Sequence, residues 1–308
     1  MAVYAYRREL KAPGNWTNID FSDPKLVSAI RIVKQQLREQ VSASLQTINC
    51  HVKKERVQVW DGESIDCYVF RPDDTDGRMP AMLYCHGGGF FLPVQPMMIH
   101  LAAQYATELG ICVYLPEYRL LPEHPNPYPF RDCLSILQWM REREAGEYLL
   151  YGESAGGALA AGLALYARDH GIVPARGQCL VYPVLDNRCS RYLSMRSFMD
   201  AAWPLRSNII MWQKYLQNGD ADLEEYVIPM RSENVAALPP TYVEPQEIDI
   251  LRDEAVAYAR RLKDAGVDMV LNMVEGSYHG FDADTENEFV KSIVSKRIDV
   301  MRTMLAAK

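Results

Sequence analysis

This 308-residue chain has no C-x-x-C pair, and its seven cysteines are an odd count. Cys67, Cys85, Cys112 and Cys179 lie inside apolar, strand-like runs instead of at regular spacings. That distribution argues against a disulfide framework. It reads as buried reduced thiols, with a cytoplasmic location as the expectation. Dense basic runs are also missing. The 33 Lys and Arg are scattered and outnumbered by 40 Asp and Glu, for a net charge of -7, which argues against nucleic acid as the main partner. No apolar run reaches the length of a membrane span. The opening residues, "MAVYAYRRELKAPGNW", lack the basic and apolar regions of a signal peptide. Histidine is scarce, with six in the chain and none at zinc-binding spacing, so neither a metal nor a cofactor is expected. There is no internal repeat.

What is present is an ordinary globular composition, 48% apolar and 24% charged, long enough to bury a core unaided. Residues 24–45 place Leu26, Ile30, Val33, Leu37 and Val41 on one helical face. "RVQVW" and "IDCYVF", separated by "DGES", read as a hairpin. From residue 80 strands and helices alternate, with strands at 80–87, 111–118, 147–152, 177–184, 239–245 and 267–276. Such alternation predicts an α/β fold with a mostly parallel central sheet and helices on both faces. The Met- and Trp-rich segment at about 185–216 interrupts it without a strand. It is either an ordinary helical insertion or, with the N-terminal segment 1–50, a helical cap on a catalytic domain covering 51–308. The strand at 267–276 is a candidate sheet edge through which a homodimer could form.

"YGESAGG" places Gly152, Ser154 and Gly156 in a G-x-S-x-G pattern between a strand and a small-residue helix. This is the setting in which a strained turn presents a nucleophilic serine. A plain helix cap would not need glycine on both sides of Ser154. A serine nucleophile needs N–H donors for the oxyanion it creates. One is the amide of the next residue, Ala155, and others come from a loop without obstructing side chains. "HGGGFF" is such a loop, and Gly87 and Gly88 are its candidate donors. Phe90 and Phe91 would add bulk beside the hole.

The serine also needs a base, which in the strand order of this fold follows it in the chain. Only His170 and His279 follow Ser154. His170 ends the helix after Ser154, where a C-capping role fits, leaving His279 in the loop "EGSYHGF". "EPQEIDILRDE" offers Glu247, Asp249 and Asp253 as the acid. Asp249, expected just ahead of a helix beginning near Ile250, is favoured.

In order along the chain, "HGGGF", "EYRLLPEHPNPYP", "GESAGG", "DILRDE" and "YHGF" resemble the motifs of microbial carboxylesterases related to hormone-sensitive lipase, over roughly residues 80 to 285. The resemblance implies an α/β-hydrolase core with a cap, Ser154, Asp249 and His279 as a triad, and Gly87, Gly88 and Ala155 as the oxyanion hole. It departs from the family where Glu153 stands for a frequent Asp and Ile250 for a frequent Pro. Tyr118, Arg119 and Glu123 are expected to brace the glycine loop. The expected function is hydrolysis of short-chain esters of small molecules, with Phe90, Phe91, Trp203 and Trp212 as candidate pocket residues. Rival readings are an amide hydrolase with the same triad and a ligand-binding receptor. The plant gibberellin receptors, which this family also resembles, lack the triad histidine that His279 supplies here.

Overall fold

The computed structural model describes residues 4–11, 19–72, 77–199, 201–219 and 221–307. Parts of the expected N-terminal segment and Asp200 of the expected insertion therefore lie outside the described residues. Helix α1 (Pro24–Ser44) leads into a hairpin of β1 (His51–Gln58) and β2 (Ser64–Arg71). There follow β3 (Ala81–Cys85), α2 (Pro96–Leu109), β4 (Cys112–Pro116), α3 (Tyr128–Arg143), β5 (Tyr148–Glu153), α4 (Ala155–Asp169) and β6 (Gly177–Val181). After β6 come the short helices α5 (Leu193–Ser197), α6 (Leu205–Tyr215) and α7 (Glu224–Val227). The chain closes with β7 (Thr241–Glu244), β8 (Gln246–Ile248), α8 (Arg252–Asp264), β9 (Met269–Leu271), β10 (Val274–Tyr278) and α9 (Glu288–Ala306).

Eight strands form one sheet in the order β1-β2-β4-β3-β5-β6-β7-β9. β2 runs antiparallel to both neighbours, and the strands from β4 to β9 are parallel. Side-chain alternation divides the core. Leu83, Tyr114 and Leu150 face one layer with α3, α4 and α8, whereas Met82, Val113 and Leu149 face another with α2 and α9. β3 lies between β4 and β5, so the chain reverses its direction of progress across the sheet there. The carboxyl ends of β3 and β5 flank that switch point, where open α/β sheets form their ligand crevice.

The last two strands differ from expectation. The run 239–245 and its continuation split at Pro245 into β7 and β8, and 267–276 splits into β9 and β10. Pro245 has no N–H for a ladder bond, although its carbonyl still accepts from Val274. Past this break β8 and β10 pair with each other, apart from the large sheet, and β9 alone of the three joins it, at the edge opposite β1. This extension carries two loops, those of Asp249 and His279, past the sheet toward Ser154.

Helix α1 also departs from its sequence pattern. Val33 is exposed, and Lys34 is buried in its place, its ammonium donating to the Leu121 carbonyl at 2.7 Å. The strandless region between β6 and β7 reaches beyond 216 to include α7. Ile19 joins the N-terminal segment to it through the hydroxyl of Ser207 on α6 at 3.2 Å.

Candidate active site

Ser154 sits at the end of β5 with φ 53° and ψ -122°, a strained conformation for a residue with a side chain. The turn is closed so tightly that a Cβ on Gly156 would lie 1.9 Å from the Cys85 carbonyl oxygen, and one on Gly152 would lie 2.2 Å from the Gly156 oxygen. Only glycine fits these two positions, and the result is a hydroxyl lifted off the sheet edge.

The Oγ of Ser154 lies 2.9 Å from His279 Nε2. On the far side of the imidazole, Nδ1 is 2.8 Å from Asp249 Oδ2. The second carboxylate oxygen of Asp249 accepts the Leu251 amide at 3.1 Å, which fixes the carboxylate plane. Asp249 is fully buried, and His279 keeps 12% of its side-chain surface. Asp249 is not the N-cap of α8, which begins at Arg252 with Leu251 in the capping position. Its competitors are engaged elsewhere: Glu247 accepts the Gly276 amide at 2.7 Å, and Asp253 accepts the Ser194 amide at 2.8 Å. His170 bonds to the Tyr166 carbonyl in the last turn of α4.

The glycine loop lies against the same hydroxyl. Gly87 faces Glu153, its amide directed at Oε1 at 3.5 Å. That removes it from the expected donor pair. Among the described residues, the amides of Gly88, Gly89 and Ala155 have no acceptor. Gly88 adopts φ 109°, open to glycine alone. The loop is braced from behind. Tyr118 stacks on the buried His86 ring with centroids 4.1 Å apart and donates its hydroxyl to the His86 carbonyl at 2.8 Å. Burial pushes the His86 imidazole down to about 4, so it stays neutral beside the site.

A cavity of about 90 Å³ opens above Ser154, lined among others by Phe91, Met97, Met98, Tyr182, Trp203 and His279. Trp203 tilts over the His279 imidazole at 6.1 Å, held by its indole N–H bond to Asn208. Phe90 and Trp212, expected beside the pocket, are not among its walls. Phe90 takes φ 60°, is fully buried and stacks on Tyr215 at 4.0 Å with Trp212 behind, so this pair fastens the loop to α6. Tyr182 went unnoticed in the sequence. Its ring lies 4.7 Å from that of His279, and its place just past the carboxyl end of β6 was the available signal. A larger cleft of about 530 Å³, lined by residues such as Arg38, Lys54 and Asp66 beside α1, contains no triad residue. Size alone does not mark the reacting site.

Below the cavity floor, Arg297 of α9 is fully buried and bridges Glu244 at 2.6 Å and Asp282 at 2.8 Å. Asp282 also accepts the Tyr182 hydroxyl at 2.6 Å. Arg297→Met is expected to cost roughly 3–5 kcal/mol by leaving two carboxylates buried without their cation. Denaturant unfolding of the purified variant checks this.

A family model for the alpha/beta hydrolase fold matches residues 82–283, and the chain belongs to that family. Esterase LipI of Mycobacterium tuberculosis is 32% identical over 221 residues, 68% of this chain and 67% of its own. The ethyl acetate hydrolase of Pseudomonas putida is 29% identical over 232 residues, 72% of each chain. The solved structure of a bacterial heroin esterase superposes with a TM-score of 0.83 at 30% identity, covering 94% of this chain and 95% of that one. Within the family the protein falls among the hormone-sensitive-lipase-like carboxylesterases, and it is a carboxylic ester hydrolase. Among the described residues, no helix is long and apolar enough to cross a membrane.

Proposed function

We propose that the protein hydrolyses short-chain carboxylic esters of small molecules through Ser154, His279 and Asp249. One observation carries the reading: Ser154 Oγ, His279 and Asp249 form a continuous hydrogen-bonded line of 2.9 and 2.8 Å at the floor of a cavity. His279 Nε2 takes the serine proton as Oγ attacks the ester carbonyl, then returns it to the departing alcohol. Asp249 keeps the other proton on Nδ1 and stabilises the imidazolium. The carbonyl oxygen, gaining negative charge, is met by the unpaired amides of Gly88, Gly89 and Ala155. Water repeats the sequence on the acyl-serine, releasing the acid.

The cavity volume supports a small acyl group. It measures about 90 Å³. Phe91 and Trp203 close it on two sides. The similarity to an ethyl acetate hydrolase points the same way. In a p-nitrophenyl ester series, kcat/KM is expected to be highest for acetyl to hexanoyl esters and to fall steeply beyond about eight carbons. Higher efficiency on dodecanoyl esters, or a rate jump when the ester forms an emulsion, would overturn the assignment.

A further inference from the structure

Glu153 precedes the nucleophile and takes no part in the steps above. Its carboxyl is 1% exposed and wedged against the glycine loop, with its Cγ 3.1 Å from where a Gly87 Cβ would be. Oε2 lies 2.9 Å from the Tyr84 hydroxyl on β3, and Oε1 faces the Gly87 amide. Among the described residues no cation bonds to it: the guanidinium of Arg297 pairs with Glu244 and Asp282. A buried carboxylate without a partner is costly, but a neutral acid is satisfied here. Oε2 accepts the Tyr84 hydroxyl whether or not the acid carries its proton, and Oε1 faces the Gly87 amide.

We propose that Glu153 is a positioning residue that holds the glycine loop as a neutral acid, and that losing its proton disables the site at alkaline pH. This rests on the functional reading above. An ionised Glu153 would place a negative charge behind the oxyanion hole, where the reaction also builds negative charge, and would pull harder on the Gly87 amide. The surroundings favour the neutral form. Burial first, and then the charge of Asp282, raise the carboxyl from 4.5 to about 8, against the lowering influence of Tyr84, Arg297 and the Gly87 amide. The other ionisable groups packed around it are Tyr151 on β5, Tyr105 on α2 and Tyr182 after β6. Burial holds Tyr84, Tyr151 and Tyr182 well above the usual phenol range and raises Tyr105 too, so none of them titrates first.

A proton that must be present with a midpoint near 8 predicts about a tenfold fall in kcat/KM between pH 7 and pH 9. Glu153→Gln reproduces the neutral acid's donor and acceptor without a proton to lose. Its rate, normalised to its own pH 7 value, is expected to stay level to pH 9. Glu153→Asp withdraws the carboxyl by one methylene, and its kcat at pH 7 is expected to fall below that of Glu153→Gln with little change in KM. Tyr84→Phe removes a hydrogen bond that favours the anion, so its alkaline fall is expected to move to higher pH.

The folded protein holds this proton more tightly than the unfolded chain. Stability is therefore full below about 4.5 and is lost as pH rises through about 8. Melting temperatures at each pH confine the comparison to folded protein. Two readouts run together: hydrolysis of p-nitrophenyl butyrate and the rate at which a fluorophosphonate labels Ser154. A wild-type protein that is not labelled at Ser154 fails the functional reading itself. Labelling with a profile level from pH 7 to 9, an equal alkaline fall in Glu153→Gln, a Glu153→Asp kcat above that of Glu153→Gln, or an unmoved fall in Tyr84→Phe overturns the role of Glu153 alone.

Discussion

Ser154→Ala is expected to abolish ester turnover, with kcat reduced by roughly 10⁶, while the protein stays folded. The removed oxygen stands at the tip of a turn, and among the described residues its only hydrogen-bond partner is the imidazole of His279. The core beneath is made of backbone packing between Cys85, Gly152 and Gly156, which the substitution leaves intact. The measurement is steady-state hydrolysis of p-nitrophenyl butyrate beside a thermal melt. Retained activity in a variant with an unchanged melt would remove Ser154 from the mechanism.

Asp249→Asn is expected to lower kcat by roughly 10⁴ with the fold preserved. The geometry sets the reason. Oδ1 of Asp249 accepts the Leu251 amide and Oδ2 accepts from His279 Nδ1. An asparagine keeps its carbonyl oxygen on the Leu251 amide, which turns its NH₂ toward Nδ1. The imidazole must then accept at Nδ1 and carry its proton on Nε2, where it cannot receive one from Ser154. Glu247→Gln and Asp253→Asn change groups bonded to Gly276 and Ser194, and each is expected to cost less than tenfold in kcat. A larger loss in Asp253→Asn than in Asp249→Asn would refute the assignment of the acid.

Much of this was legible because the governing signals are local. Continuous apolar runs mark β3, β4 and β5, and the glycines around Ser154 report contacts that no side chain could survive. What escaped depended on contacts distant in sequence. Lys34 reads as a solvated charge until the Leu121 carbonyl is placed above it. Arg297 on α9 looks like the polar face of a surface helix, since its partners Glu244 and Asp282 lie 53 and 15 residues away. Phe90 and Phe91 are indistinguishable as letters. The positive φ of Phe90 sends one ring into the Tyr215 stack and leaves the other at the cavity. The division of the last strands at Pro245 had a visible cause, a residue unable to donate, in a run whose apolar character suggested continuity.

The seven cysteines of the folded chain form a set of built-in timers. Cys50 is half-buried ahead of β1, Cys189 is buried in the segment that precedes α5, Cys133 is buried on α3, and Cys67, Cys85, Cys112 and Cys179 are enclosed in the sheet. A thiol reagent therefore meets them in the order in which the protein opens: edge, the segment between β6 and β7, then core. Cys85 is the most telling of these. Its own carbonyl lies against Gly156 at the end of β3, so an opening that separates these two also dismantles the turn holding Ser154. Mass-resolved alkylation of the unmodified protein would thus separate opening of the segment between β6 and β7 from collapse of the turn that holds Ser154.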